Sequence, residues 1–158
     1  MTTAYDVPYM QRTRDYYSAQ GYDSDYKWAH NTVTPLHRLG KSLNTATVSV
    51  ITTAMPDTLA GRTKRQVYAS PSFPVPISMH TADLSWDKKA THTNDVGSFL
   101  PLGLLKEFVE QGLIGALDSQ FYSVPTEYSQ RHTLEQDAPA ILQLCRQAQT
   151  DVALLVPL

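Results

Sequence analysis

The sequence predicts an α/β fold, a parallel-sheet βαβαβ unit with an N-terminal helical arm. Three observations predict it. A β-branched segment at 46–54 (ATVSVITTA) and an apolar one at 152–156 read as strands, and a shorter apolar strand lies between them. Two amphipathic helices separate these three strands, and strand, helix, strand, helix, strand is the order that joins parallel neighbours through crossovers. Of the 158 residues, 42% are hydrophobic and 18% charged, which is too apolar for a disordered chain, and no apolar run is long enough to span a bilayer.

The elements follow in order. Six of the nine tyrosines fall within residues 5–26, joined by Arg12, Arg14, Lys27 and Trp28. Asp6 predicts a helix cap, Pro8 fits the first turn, and Gly21 stops the helix. A tyrosine-rich amphipathic helix of this kind reads as a packing arm for another chain, because interfaces favour Tyr, Trp and Arg. Residues 21–42 show no sustained period and read as an ordered loop, so the arm is expected to span 1–44 and the α/β domain 45–158. In the first strand Val48, Val50 and Thr52 share one face. The proline-rich stretch at 55–98 lacks a good periodic segment apart from a weak strand near 66–69, and long loops of this kind usually carry function.

Pro101 then opens a helix with Leu104, Leu105, Phe108 and Val109 on one face, and Gly112 ends it. Residues 113–117 read as a short buried strand continuing toward Tyr122. Thr133 and Gln136 make a capping-box pattern for a second helix whose buried face is Ala138, Ile141, Leu142, Cys145 and Ala148. The last strand is apolar on both faces, as a central parallel strand should be. Such a strand needs a following helix, so the domain is expected to be incomplete at its C-terminal end.

The chemistry is narrower. A net charge of -2 leaves no electrostatic footprint for nucleic acid or an anionic membrane. A single cysteine excludes a disulfide scaffold or an all-cysteine zinc site within the chain, and Cys145 on an apolar helix face reads as a structural thiol. With no leader pattern at its start, the chain is expected to be soluble and cytoplasmic. Dinucleotide, Walker, nucleophile-elbow and H-E-x-x-H motifs are missing. Two H-x-x-D units do stand out, His80 with Asp83 and His92 with Asp95. Two imidazoles and two carboxylates suit a divalent metal or an acid–base set, and they equally suit a polar loop whose aspartates turn or cap the backbone. His30, His37 and His132 have no partner legible in the sequence.

Several segments resemble one family, the selenoprotein B subunits of glycine, sarcosine, betaine and D-proline reductases. VPYMQRTRDYYSAQGYDSDYKWAHN is similar to the N-terminal arm of its shorter members, and TVSVITTA to its first strand. SMHTADLSWDKKATHTNDVGSFLPLGLLKEFVEQGLIGAL resembles the family stretch with a His, an Asp, a second Asp, a helix and Gly-x-Ile-Gly. TLEQDAPAILQLCRQAQTDVALLVPL resembles the helix and strand that lead to the family's redox motif. The resemblance runs in order over nearly the whole chain.

It implies a subunit of an amino-acid or amine reductase that cleaves a C–N bond with thiols as electron donors. His80, Asp83 and Asp95 match the family's His, Asp and Asp, which implies roles in proton transfer or substrate positioning. Selenocysteine or cysteine is implied immediately after Leu158, where a UGA codon is commonly read as a stop, so the chain by itself is expected to be inactive. No cofactor is expected within the chain. The implied partners are other reductase subunits, one of them carbonyl-bearing, with a small amine or amino acid as substrate and an oligomer as the working form. Two departures leave the substrate open: Val124 to His132 replaces a glycine-rich run, and Gly103 to Lys106 (GLLK) lacks the family's arginine. The alternatives are a non-catalytic paralogue that binds a partner through the arm, or a metal-dependent enzyme using His80, Asp83, His92 and Asp95.

Overall fold

The computed structural model describes residues 8–22, 24–25, 27, 29–35, 37–84, 88–89 and 91–158. They divide into two compact units, Met1–Pro35 and Leu36–Leu158. In the first, helix α1 spans Tyr9–Ala19. Pro8 occupies the N-cap position without a side-chain cap, and the proposed Asp6 cap lies outside the described residues, as do Tyr5, Tyr26 and Trp28. Gly21 ends the helix in the left-handed region at φ 86°, a conformation glycine adopts without a Cβ penalty. Tyr17 meets Tyr16 and Tyr22 edge-on, and Arg14 pairs with Asp25 at 3.0 Å.

The second unit is an α/β domain with a mostly parallel sheet. Strand β1 (Thr47–Thr52) is its centre. On one side lie β5 (Ala116–Leu117) and β6 (Gln120–Ser123), both parallel to β1. On the other side β7 (Val152–Val156) runs parallel to β1 in the register Val48–Val152 through Thr52–Val156. Backbone direction fixes these sides. The amides of Ala116, Asp118 and Val124 bond the carbonyls of Ala46, Val48 and Thr52, whereas the Asp151 amide bonds that of Thr47.

Alternation along β1 divides the core into two layers. Val48 and Val50 join Phe99, Leu100, Leu102, Leu105, Ile114 and Phe121 on the face covered by α3 (Leu102–Glu110). Ile51 joins Tyr122, Ile141 and Cys145 on the face covered by α5 (Ala138–Gln147). The strand that was read from a β-branched run is therefore buried on both faces, as a central parallel strand should be.

Several expectations are corrected. The stretch at 55–98 contains β2 (Met55–Pro56), α2 (Leu59–Thr63) and β4 (Met79–His80) besides β3 (Tyr68–Pro71), which overlaps the weak strand expected near 66–69. Strand β3 pairs antiparallel with β6, and β2 with β4. These elements are too short to show a period, and the strands among them exist through pairing with segments distant in sequence. Asp118 and Ser119 interrupt the predicted strand after 113, separating β5 from β6, and Leu113 is exposed.

Thr133 and Gln136 do not form a capping box. The helical segment begins earlier, at α4 (Gln130–His132), where the Ser129 hydroxyl accepts from the His132 amide at 3.2 Å. It then widens into a π-turn over Thr133–Asp137 before α5. On α5, Ile141 and Cys145 are buried as expected, but Ala138 and Leu142 face outward and Leu144 packs instead. Leu104 of α3 is likewise exposed. Strand β7 is not central: within the described residues it pairs with β1 alone, and Leu154 and Leu155 are exposed.

Candidate functional site

Parallel sheets open a crevice beyond the carboxyl ends of their strands. Here that crevice is a cleft of about 510 Å³. Thr53 and Met55 line it from the end of β1, Pro125, Thr126 and Tyr128 from the loop after β6, and Leu158 from the end of β7. The stretch at 55–98 supplies the rest: Gly61 to Arg65 from α2 and its exit, and His80, Thr81, Asp83 and Leu84 from β4 and the loop after it. The Leu158 amide donates to Thr53 Oγ1 at 2.8 Å, which ties the end of β7 to the mouth of the cleft.

The local sequence explains these placements. β4 pairs with β2 so that His80 stands opposite Met55. Thr58 caps α2 by accepting from the Gly61 amide at 3.0 Å. A Cβ on Gly61 would collide with the Pro56 carbonyl oxygen, so glycine lets α2 fold back onto β2. Asp57 anchors this corner. Its carboxyl accepts from Ser78 Oγ at 2.8 Å and from Arg62 Nε at 2.9 Å. The Ser78 hydroxyl first, and then Arg62, hold it below the usual carboxylate range.

His80 Nε2 lies 2.9 Å from Asp83 Oδ2. The imidazole side chain is only 11% exposed, whereas the Asp83 side chain is 83% exposed. This is a carboxylate-oriented imidazole at a cleft wall, a pair able to take up or deliver a proton. The second H-x-x-D unit does not pair with it, although His92 and His80 both line an adjoining cleft. Asp95 caps a 3₁₀ turn at Val96–Ser98, its Oδ1 accepting from the Gly97 amide at 3.1 Å, and it does not line the cleft. His92 Nδ1 faces the Asn94 amide at 3.4 Å. The two units are instead stapled through Thr81 Oγ1 and Thr93 Oγ1, 2.6 Å apart. Among the described residues no three His, Cys, Asp or Glu side chains gather to hold a metal ion.

Sequence reasoning missed the network behind the cleft. Arg65 forks onto Asp137, with Nη2 to Oδ2 at 2.7 Å and Nη1 to Oδ1 at 3.2 Å, and its Nε donates to Glu127 Oε2 at 3.0 Å. His132 Nδ1 meets the same Glu127 oxygen at 3.0 Å. Asp137 is buried, so the bidentate arginine supplies the charge and hydrogen bonds that its carboxylate needs. The Ser129 amide first, and then Arg65 and His132, hold the Glu127 carboxyl below its ordinary range. Together these contacts hold the 124–129 wall against the exit of α2. No sequence signal marks them, since the partners lie 62 and 72 residues apart.

Beneath the sheet Asp118 accepts from Ser49 Oγ at 2.6 Å, Tyr122 Oη at 2.8 Å and the Gln120 amide at 3.0 Å. Burial, then the bonded Asp118 carboxylate, push the Tyr122 phenol up. Burial also raises the Cys145 thiol, so this cysteine is a packing residue, as expected from its helix face. Among the described residues no helix is long and apolar enough to cross a membrane. Compared with known protein families, with curated proteins and with solved structures, the chain matches none.

Proposed function

We propose that this chain is the α/β part of an amino-acid or amine reductase subunit of the glycine, sarcosine, betaine or D-proline reductase type, working in the cytoplasm with partner subunits. One observation carries the reading: the His80–Asp83 pair and Leu158 line the same cleft at the carboxyl ends of the parallel strands. The selenolate or thiolate that the resemblance places next after Leu158 would therefore start within reach of a proton-carrying pair.

When present, that residue would supply the nucleophile for C–N cleavage, with a carbonyl-bearing partner subunit activating the amine and thiols supplying the two electrons that reduce the carbon. The chain's own residues do the rest. His80 delivers a proton to the departing nitrogen, and Asp83 holds the imidazole in the tautomer that can do so. Asp95 acts at a distance, by holding the 3₁₀ turn that follows the cleft loop. Lys64, exposed at the cleft and without an ion pair among the described residues, is placed for an anionic substrate group.

The test is to produce the chain extended through position 159 with selenocysteine or cysteine, combine it with candidate partner subunits, and follow thiol-dependent release of ammonia or amine. His80→Gln is expected to lower that rate about 10²–10⁴-fold, the usual range for a lost general acid. Release that is equally fast in the His80→Gln protein removes the role given to this residue. Failure of every candidate amine removes the reductase reading itself.

A further inference from the structure

A second cleft, also of about 510 Å³, adjoins the first. The two share Arg62, His80 and Thr81, so His80 stands between them. The contact of Thr81 Oγ1 with Thr93 Oγ1 at 2.6 Å holds the 88–94 loop beside residues 77–82, and the cleft lies along that seam. Every ionisable side chain that lines it among the described residues is a base: Arg62, His80, Lys88 and His92. The described acids of this region are engaged elsewhere. Asp57 takes Ser78 and Arg62, and it lines neither cleft. Asp83 takes His80 and lines the first cleft but not the second, and Asp95 caps its own 3₁₀ turn.

The donors are specific. Arg62 gives Nε and Nη2 to Asp57 Oδ1 and keeps both Nη1 hydrogens for another acceptor. The Asn94 amide approaches His92 Nδ1 at 3.4 Å, so that nitrogen accepts and the donor of the ring is Nε2–H. Lys88 Nζ is anchored by the Ala82 carbonyl at 2.7 Å, which sets its ammonium at this cleft. Donors from α2 and from the 88–94 loop suit a group with several acceptor oxygens, as a phosphoryl group has, better than a planar carboxylate. The volume far exceeds that of a bare phosphate ion and falls in the range of small-molecule sites. Ile77, 95% exposed, and Ala82 add an apolar lip for the rest of such a molecule. We infer that the second cleft binds a small phosphate ester, its phosphoryl group held by Arg62, Lys88 and His92 and its organic part against Ile77. The inference does not rest on the reductase reading, since it asks nothing of a residue after Leu158.

Calorimetric titration of the purified chain with phenyl phosphate, at fixed ionic strength, tests it. Saturable binding is expected, tighter than that of inorganic phosphate, which lacks the organic part, and of benzoate, which lacks the phosphoryl oxygens. Lys88→Gln and His92→Gln are each expected to weaken it about tenfold, the scale of one lost hydrogen bond between charged groups. Both residues are exposed, so the circular dichroism spectrum should stay unchanged in either variant. A second readout locates the ligand. The ring signals of His92 and His80 in the proton NMR spectrum should shift on addition of phenyl phosphate, and that of His132, which lines neither cleft, should not. Absence of saturable binding overturns the inference. Binding that leaves the His92 signal in place, or that both substitutions leave intact, overturns the site. Inorganic phosphate or benzoate binding as tightly as the ester overturns the class of ligand.

Discussion

Arg65 shows how much one side chain decides in this molecule. Its fork satisfies a buried carboxylate on Asp137 and a second one on Glu127, and in doing so it holds one wall of the cleft to the other. Arg65→Met leaves Asp137 charged and unpaired at a buried site. We expect a loss of about 1–3 kcal/mol in urea unfolding, reduced from the cost of a fully buried pair because the arginine itself is part-exposed. Arg65→Lys should recover only part of it, since an ammonium cannot reproduce the two parallel bonds. His80 and Asp83 could be picked out as a spaced pair, and three residues of sequence separation were enough to bring them together. Asp95 looked equivalent by spacing, but its carboxyl is taken by a backbone amide two residues on, the common fate of an aspartate in a turn.

At the level of elements, the helices test which face was read correctly. Periodicity placed Leu104 and Leu105 together on the inner face of α3, yet only Leu105 is buried, and Leu102 from the first turn completes the stripe. Leu105→Ala is expected to cost about 2–4 kcal/mol in chemical denaturation, whereas Leu104→Ala should stay within about 0.5 kcal/mol. Equal losses would mean that α3 sits differently on the sheet. The start of α5 departs from the capping-box pattern for a different reason. Ser129 rather than Thr133 caps the segment, and a π-turn precedes Pro139, where the wider turn accommodates a residue that has no amide hydrogen. The apolar sequence of β7 suggests a central strand, yet among the described residues it pairs with β1 alone, because apolarity does not fix a strand's place in a sheet.

Across the whole molecule, titration follows from where the carboxylates and the buried acids sit. Asp57, Glu127 and Asp151 are all held below their ordinary values, by Ser78 and Arg62, by the Ser129 amide and Arg65, and by Lys41 and the Thr47 amide. Their folded values lie below their unfolded ones, so the stability they contribute is complete above the ordinary carboxylate range and is lost as pH falls through the lowered values. Tyr122 and Cys145 are shifted upward, so the unfolded chain releases protons first as pH rises beyond about 8.5, and stability declines there too. Thermal melts across pH should show a plateau bounded by these two limbs. Asp151→Asn should shallow the acid limb and Cys145→Ala the alkaline one. A limb unchanged by its substitution would remove that group from the account.

The sequence by itself determined the α/β class, the existence of strand β1, the two covering helices and the buried thiol, because each follows from local periodicity or from a run of β-branched residues. It also singled out His80 and Asp83, which are neighbours along the chain. Only the tertiary structure decided that β3 returns antiparallel beside β6, that Arg65 meets Asp137 and Glu127, and that β7 pairs with β1 alone among the described residues. Those are contacts between residues far apart in sequence, and a pattern of a few residues carries no information about which distant segment arrives to meet it.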